Sequence, residues 1–396
     1  MENENCEKII ITVDELKKMV KNNEEDKINE VDIITCGTCG VMSGTMAIMH
    51  VPMDQKFRKA EKFTLNGINC NVGPCPNEYL GSVDITVNGT SHTEDYGAGF
   101  LFKDLIAGKE VIAKAYCDNK VYEKAINLSE IPTANLIGTR MAFKNYVALT
   151  NLGKPVNTIF HRIPLKKGEA SFSGCGEYNP LQNMNTEYSN LFGKKILLNG
   201  SEGIVLGYGT RYAKEKPNLM ISADMHTMDD YYIGGFHTSA GAEIYDTVAI
   251  PVEMNEKNKK YLMTIDDDII LPLTNVLGRE LIKEATYGEA WNNADLRPKV
   301  DLTKCTENKY RNSETPLSKF CEAVALCPTK ALENGIPSKD CFGCGICAKV
   351  CHEGVYSMKL NSIGGIPITC RQSDRVRALK LSKELKKRIE KGEFKL

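Results

Sequence analysis

Cysteine is the residue type here with the most chemistry to offer. The chain has 396 residues and 15 cysteines. An odd count cannot be fully disulfide-paired, and the chain is far too long for a small secreted disulfide scaffold. Cys341, Cys344, Cys347 and Cys351 stand in CFGCGICAKVC with two, two and three residues between them. Thiolates at that spacing can wrap one corner of an iron–sulfur cubane, because a tight glycine-containing turn aims successive sulfurs at one centre. A remote cysteine then supplies the fourth ligand. Zinc fits less well, since zinc ribbons use two separated CxxC pairs.

A second set lies in the first three-quarters of the chain. Cys36 and Cys39 form a CxxC after VDIIT, which reads as a buried strand running into the glycine turn CGTCG. Cys70 and Cys75 sit in INCNVGPCPNEY, Cys175 in FSGCGEYNP, and Cys117 at the end of a strand in AYCDN. Two chemistries suit them. A reactive thiolate can carry sulfur as a persulfide, with Cys39 and Cys117 the leading candidates and Cys36 and Cys175 next. Alternatively, Cys36, Cys39, Cys70 and Cys75 can form a four-thiolate metal site. The plainer reading makes each a small buried hydrophobe.

The segment around residues 315–360 resembles a bacterial-type ferredoxin. CPTKAL, beginning at Cys327, is similar to the end of a first ferredoxin run. In two-cluster ferredoxins the last cysteine of each run serves the other cluster. The resemblance therefore assigns one [4Fe–4S] cluster to Cys327, Cys341, Cys344 and Cys347. The second site is degraded: Leu317, Phe320 and Ala323 stand where its first three ligands belong. Cys351 is left without companions unless Cys321, Cys305 and Cys370 help it hold a second cluster.

Other residue types offer less. The six histidines form no HExxH and no close pair, so each reads as structural before it reads as an acid or base. YGAGF and GYGTR lack the spacing of a dinucleotide or P-loop motif, so no nucleotide site is expected. Charge balances at −1, which argues against a nucleic-acid or anionic-membrane binder. No apolar run approaches the ~18–20 residues of a membrane span, and the polar start is no secretory signal. The expected setting is a reducing, anaerobic cytoplasm.

The elements that must carry these residues are mostly strands. Thr12 and Glu15 make a capping box opening a first helix. FTLNGINC, VDITVNGT, EVIAKAYC, KKILLN, GIVLGYG, NLMISAD, DTVAIPV and DIILPL read as strands. FLFKDLIA reads as a helix stopped at Gly108. A closing helix follows Ser373, with Leu381, Leu385 and Ile389 at four-residue intervals and Gly392 at its end. The fold class is therefore α+β, a large mixed core with an inserted ferredoxin-like domain and a C-terminal amphipathic helix. The expected division is residues 1–303 for the core, 304–361 for the ferredoxin-type domain and 362–396 for a helix returning to the core.

VDIITCGTCG, FLFKDLIAGKEV, FSGCGEYNPL, GSEGIVLGYGTR, VAIPVEMNE and TIDDDIILPL together resemble the homocysteine-biosynthesis, sulfur-incorporation family. GIPITCRQSDR, beside a fused ferredoxin segment, resembles a methanogenesis-marker family of iron–sulfur proteins. The resemblance implies sulfur transfer to aspartate semialdehyde. Cysteines would carry the sulfur, and an electron-donor protein or fused ferredoxin would supply electrons. Ser43 stands where the homocysteine enzymes carry one cysteine and Lys120 near the register of another, so the reactive thiols would be relocated. The expected function is sulfur transfer related to homocysteine formation. Its alternative is a non-catalytic electron-transfer or cluster-assembly protein serving methanogenesis cofactors. Small metabolites and electron carriers are the expected partners.

Overall fold

The computed structural model describes residues 8–75, 77–141, 147–183, 188–210, 218–306 and 315–396. Cys6 and part of the polar stretch after residue 300 lie outside these described residues. Helices and sheets are mixed, as the sequence pattern implies.

Among the described residues the largest sheet has 14 strands. Ile33–Val41 lies between Ile10–Thr12, which is parallel to it, and Gly241–Glu253, which is antiparallel. From there the sheet runs through Lys195–Leu198, Ser201–Tyr208, Leu219–Asp224 and Ala134–Met141 to Thr45–Pro52. It then continues through Ser82–Asn88, Ile68–Val72, Lys62–Leu65 and Val111–Cys117 to Lys120–Ile126. The sheet curls on itself: Thr45 Oγ1 donates to the Asp246 carboxylate, joining strands that are not neighbours in this order. Alternating side chains such as Val83, Ile85 and Val87 fill the interior. A second sheet of six strands runs Leu281–Thr286, Ile270–Asn275, Ala148–Thr150, Ala170–Phe172, Ile366–Arg371 and Ser362–Ile363.

Two local expectations are corrected. CGTCG is not a turn: Ile33–Val41 is one continuous strand, buried from Ile33 to Gly40. Gly37 is there for close packing, because a Cβ would stand 2.3 Å from the Ala378 carbonyl oxygen of the closing helix. FTLNGINC is two strands, not one. Asn66 and Gly67, with φ of 45° and 81°, turn Lys62–Leu65 back onto Ile68–Val72.

The helix Val13–Lys21 opens with the Thr12–Glu15 capping box. The helix Ala98–Ile106 ends just before Gly108, whose φ is 76°. The closing helix, Arg375–Glu390, packs on Ile33–Val41 and Gly241–Glu253. Leu381 and Leu385 pack with Leu197, Tyr232 and Phe394. The described residues among 297–306 and 315–358 form short helices and two-stranded ladders. Lys299–Val300 pairs with Tyr356–Ser357, so this excursion leaves and returns at one place.

Candidate active site and thiol cage

Extending the strand through CGTC decides the fate of its thiols. Residues three apart on a strand point to opposite faces, so Cys36 and Cys39 cannot chelate one ion. Cys36 lies near Lys17, and burial pushes its thiol up to about 12 against the pull of that ammonium. Burial in turn lowers Lys17 to about 8, and its Nζ is held by the Thr264 carbonyl at 2.7 Å. Cys39 is wholly buried, with its thiol raised well above the ordinary range by burial and Asp374, opposed by Arg377. The backbone N–H of Cys39 donates to Cys175 Sγ, and that thiol donates to the Cys39 carbonyl, both at 3.5 Å. Burial pushes Cys175 up to about 11.

The remaining core cysteines stand apart. Cys70 is buried on Ile68–Val72 and donates to the Ile68 carbonyl. Cys75 is exposed and bonded to Asn77. Cys117 is buried at its strand end beside Asp118. The structure thus brings Cys39 and Cys175 together and leaves Cys36, Cys70, Cys75 and Cys117 outside that pair. Among the described residues no group of three or more His, Cys, Asp or Glu side chains is arranged to hold a metal ion. The core four-thiolate site has no geometric basis.

The start of the closing helix holds what residue-type reading missed. Asp374 is 1% exposed. It caps the helix through the Val376 N–H at 2.9 Å and binds Arg297 with both oxygens, at 3.0 and 2.8 Å. Arg377 pairs with it from the other side. Removing one member of such a buried set typically costs about 3–5 kcal/mol. Arg377 also donates to the carbonyls of Tyr231, Cys341 and Lys339, and Arg371 to that of Gly343. Arg375 donates to the Cys175 carbonyl at 3.0 Å and pairs with Asp266 at 2.6 Å. In the sequence, RQSDRVR looks like the solvated start of an amphipathic helix. Nothing in the charge pattern announces that these side chains turn inward.

Those arginines grip the loop that carries the clustered cysteines. Cys327, Cys341, Cys344 and Cys347 line one small cavity with Pro298, Pro328, Leu332 and Phe342. Backbone N–H groups point at the sulfurs. Ala331 N donates to Cys327 Sγ at 3.2 Å, and the amides of Gly343, Ile346 and Ala348 serve Cys341, Cys344 and Cys347. Amide donors on four thiols around an apolar hollow are the donor set an iron–sulfur cluster uses. The four thiols share this hollow and suit such a group by residue type, although they do not stand as a ready metal-ligand set. Cys305, Cys321 and Cys351 are half-buried against the same hydrophobic cluster. Cys370 is fully buried, and its charge would be felt at Cys344.

Two cavities flank this assembly. The first, of about 530 Å³, is lined by Gly40, Ser43, Arg140, Ser173, Arg279 and Gln372, among others. Arg279 stacks over Phe160 at 4.9 Å. Glu243, buried and bonded to Ser43, has its carboxyl raised by burial against the pull of His92 and Arg140. Cys39 and Cys175 are chain neighbours of wall residues, adjacent to Gly40 and two residues past Ser173. Cys370 pairs in register with Ser171, another wall residue. The second cavity, about 490 Å³ and strongly polar, is lined by His92, Asp95, Arg162, His237, Cys327 and Lys330, among others.

Fold and site define a class: a mixed α/β protein whose core thiols and buried arginines adjoin a four-thiol cage. The chain belongs to the homocysteine-biosynthesis, sulfur-incorporation enzyme family, which it matches over residues 8–396. It is 55% identical to an uncharacterized protein of Methanocaldococcus jannaschii over 98% of both chains. It is 46% identical to another of Methanothermobacter thermautotrophicus, over 97% of this chain and 90% of that one. The L-aspartate semialdehyde sulfurtransferase of Methanosarcina acetivorans is 27% identical, over 71% of this chain and 59% of its own length. No solved structure matches. No helix among the described residues is long and apolar enough to cross a membrane.

Proposed function

We propose that this chain transfers sulfur to a small carbonyl acid, aspartate semialdehyde or a close analogue, in the cavity lined by Ser43, Arg140 and Arg279. Cys39 or Cys175 would carry the sulfur as a persulfide. The observation that carries this reading is that the paired thiols of Cys39 and Cys175 both lie within two residues of that cavity's wall, next to Gly40 and past Ser173. The two arginines suit a carboxylate, which guanidinium groups bind with paired hydrogen bonds. Glu243, with its carboxyl raised by burial, is placed to exchange a proton near Ser43.

The sulfur balance requires a reductant. A donor of sulfane sulfur, such as polysulfide, would load the carrier as Cys–S–SH. Delivering the outer sulfur to the aldehyde as a thiol then consumes four electrons and four protons: two electrons bring the sulfur to the sulfide level and return the carrier as Cys–SH, and two reduce the carbonyl carbon as its oxygen leaves as water. Cys327, Cys341, Cys344 and Cys347 would hold a [4Fe–4S] cluster, which when bound supplies one-electron transfer; residues 304–361 would then form the inserted ferredoxin-type domain. A low-potential electron-donor protein would feed it, in a reducing cytoplasm where the described cysteines stay free thiols.

The test is an anaerobic assay with polysulfide as sulfane-sulfur donor, aspartate semialdehyde and a low-potential reductant, scored for homocysteine, with persulfides mapped by mass spectrometry after polysulfide loading and before reductant is added. Product is expected, with a persulfide on Cys39 or Cys175, and Cys39→Ser or Cys175→Ser should lower turnover at least about 100-fold. Unchanged turnover in both variants, or no product and no persulfide, would remove the reading.

A further inference from the structure

We propose that the second cavity, beside Cys327, is a binding site for a small anion held by Arg162 and Lys330 at the edge of the thiol cage. Arg162 reaches this cavity from the segment after Phe160 and lies near Cys327 and Cys344. Its Nε is buried with no hydrogen-bond partner among the described residues, which leaves a donor waiting for an acceptor. Lys330 stands on the same wall, with Nζ on the Asp95 carbonyl at 2.7 Å and over the Phe100 ring at 5.1 Å. His237 is on that wall too, fixed by its N–H to the Pro328 carbonyl at 2.8 Å. Burial, Arg162 and Lys330 push its imidazole down to about 4, with Asp95 opposing and His92 adding to the fall. His237 is therefore neutral at pH 7, and the cavity sets Arg162 and Lys330 on the Cys327 side against Glu94 and Asp95, which also line it, so an anion is held only where the Arg162 Nε and Lys330 face it.

The cavity is polar and Cys327 lines both it and the cage. A small anion there would sit against a cage ligand, separate from the cavity that holds Ser43. Two sources share this chemistry: the terminal anion of a polysulfide sulfur donor, for which hydrosulfide is the probe, and the carboxylate of a small substrate. Either use rests on the sulfur-incorporation reading, whereas the site itself does not.

The experiment is anaerobic calorimetry on the full chain with sodium hydrosulfide and sodium acetate as separate probes, and iron content measured on the same samples. One molecule of at least one probe is expected to bind per chain. Arg162→Gln and Lys330→Gln should each weaken it on the order of tenfold or more, the usual worth of a charge-assisted hydrogen bond. Hydrosulfide binding alone assigns the site to the sulfur donor, and acetate binding alone to a substrate carboxylate. If Arg162→Gln fails to fold, Lys330→Gln carries the test. No binding, or affinities unchanged by the substitutions, overturns the proposal. So does an Arg162→Gln protein whose cluster potential shifts while anion affinity stays the same, since Arg162 would then only balance cage charge. Anion binding in a protein without iron keeps this site and removes the cluster.

Discussion

At the scale of single residues, burial is what separates the cysteines. A thiol reacts as its thiolate, so a raised pKa and a closed environment both slow it. Cys175, raised from 9.0 to about 11, carries about 100-fold less thiolate at pH 7 than an ordinary thiol. Cys36, at about 12, carries less still. Cys75 is exposed. Brief iodoacetamide treatment of the native protein at pH 7 should therefore modify Cys75 and spare Cys36, Cys39 and Cys175, as peptide mass spectrometry would show. Labelling of Cys175 should rise about tenfold per pH unit until about 11, while the fold holds. Labelling of Cys175 as fast as Cys75 at pH 7 would mean that the wall behind Gly40 and Ser173 opens readily. The sequence showed which cysteines could do chemistry but not which were reachable. The spacing in CFGCGICAKVC is local, and the structure keeps three of those thiols on one hollow. Pairing of Cys39 with Cys175 spans 136 residues, and no local pattern encodes it.

At the scale of elements, the contact between Ile33–Val41 and the closing helix orders the site. Glycine in a strand usually weakens it, so CGTCG reads locally as a turn. The reason for glycine lies about 340 residues away, in the Ala378 carbonyl that packs against Gly37. The helix and the first half of the strand are legible by period, whereas the strand's second half and its closeness to the helix are not. The same holds for Asn66–Gly67, whose turn signal is a hairpin's and splits what alternation alone reads as one strand. Gly37→Ala should force the helix outward and destabilise the protein by about 1–3 kcal/mol, the usual range for overpacking. It should also disturb Asp374, which bonds the Cys39 carbonyl through its N–H at 3.0 Å. Urea unfolding would measure the loss. A Gly37→Ala midpoint equal to the parent's would mean that the helix does not press on this strand.

At the scale of the whole molecule, the open question is whether cage and core are one cooperative unit. Phe342 of the cage loop packs against Phe236 and Tyr245 of the core, with ring centroids 5.2 and 5.1 Å away. Arg371, at the end of the strand Ile366–Arg371, and Arg377, on the closing helix, tie down four loop backbone positions: the Gly343, Cys341 and Lys339 carbonyls by side chain, and Cys344 through the Arg371 N–H. Such bonds, buried and charge-assisted, couple the parts more tightly than a tethered module would be coupled. The protein carries its own reporter. Trp291, its single tryptophan, lies beneath Arg371 and Arg375 at 4.4 and 4.2 Å and donates to the Gly174 carbonyl. A cluster bound by the folded cage and not by the unfolded chain stabilises everything that unfolds with the cage. Denaturation of iron-loaded protein followed by Trp291 fluorescence and by cluster absorbance should therefore give one coincident transition, the mark of two-state behaviour. Removing iron with a chelator should move the Trp291 midpoint down, by about 2 °C for each 2 kcal/mol of lost binding in a chain of this length. Cluster absorbance lost first, with the Trp291 transition unmoved, would show the opposite: a cage that hangs on the core without holding it, and arginines that position the loop but transmit no stability.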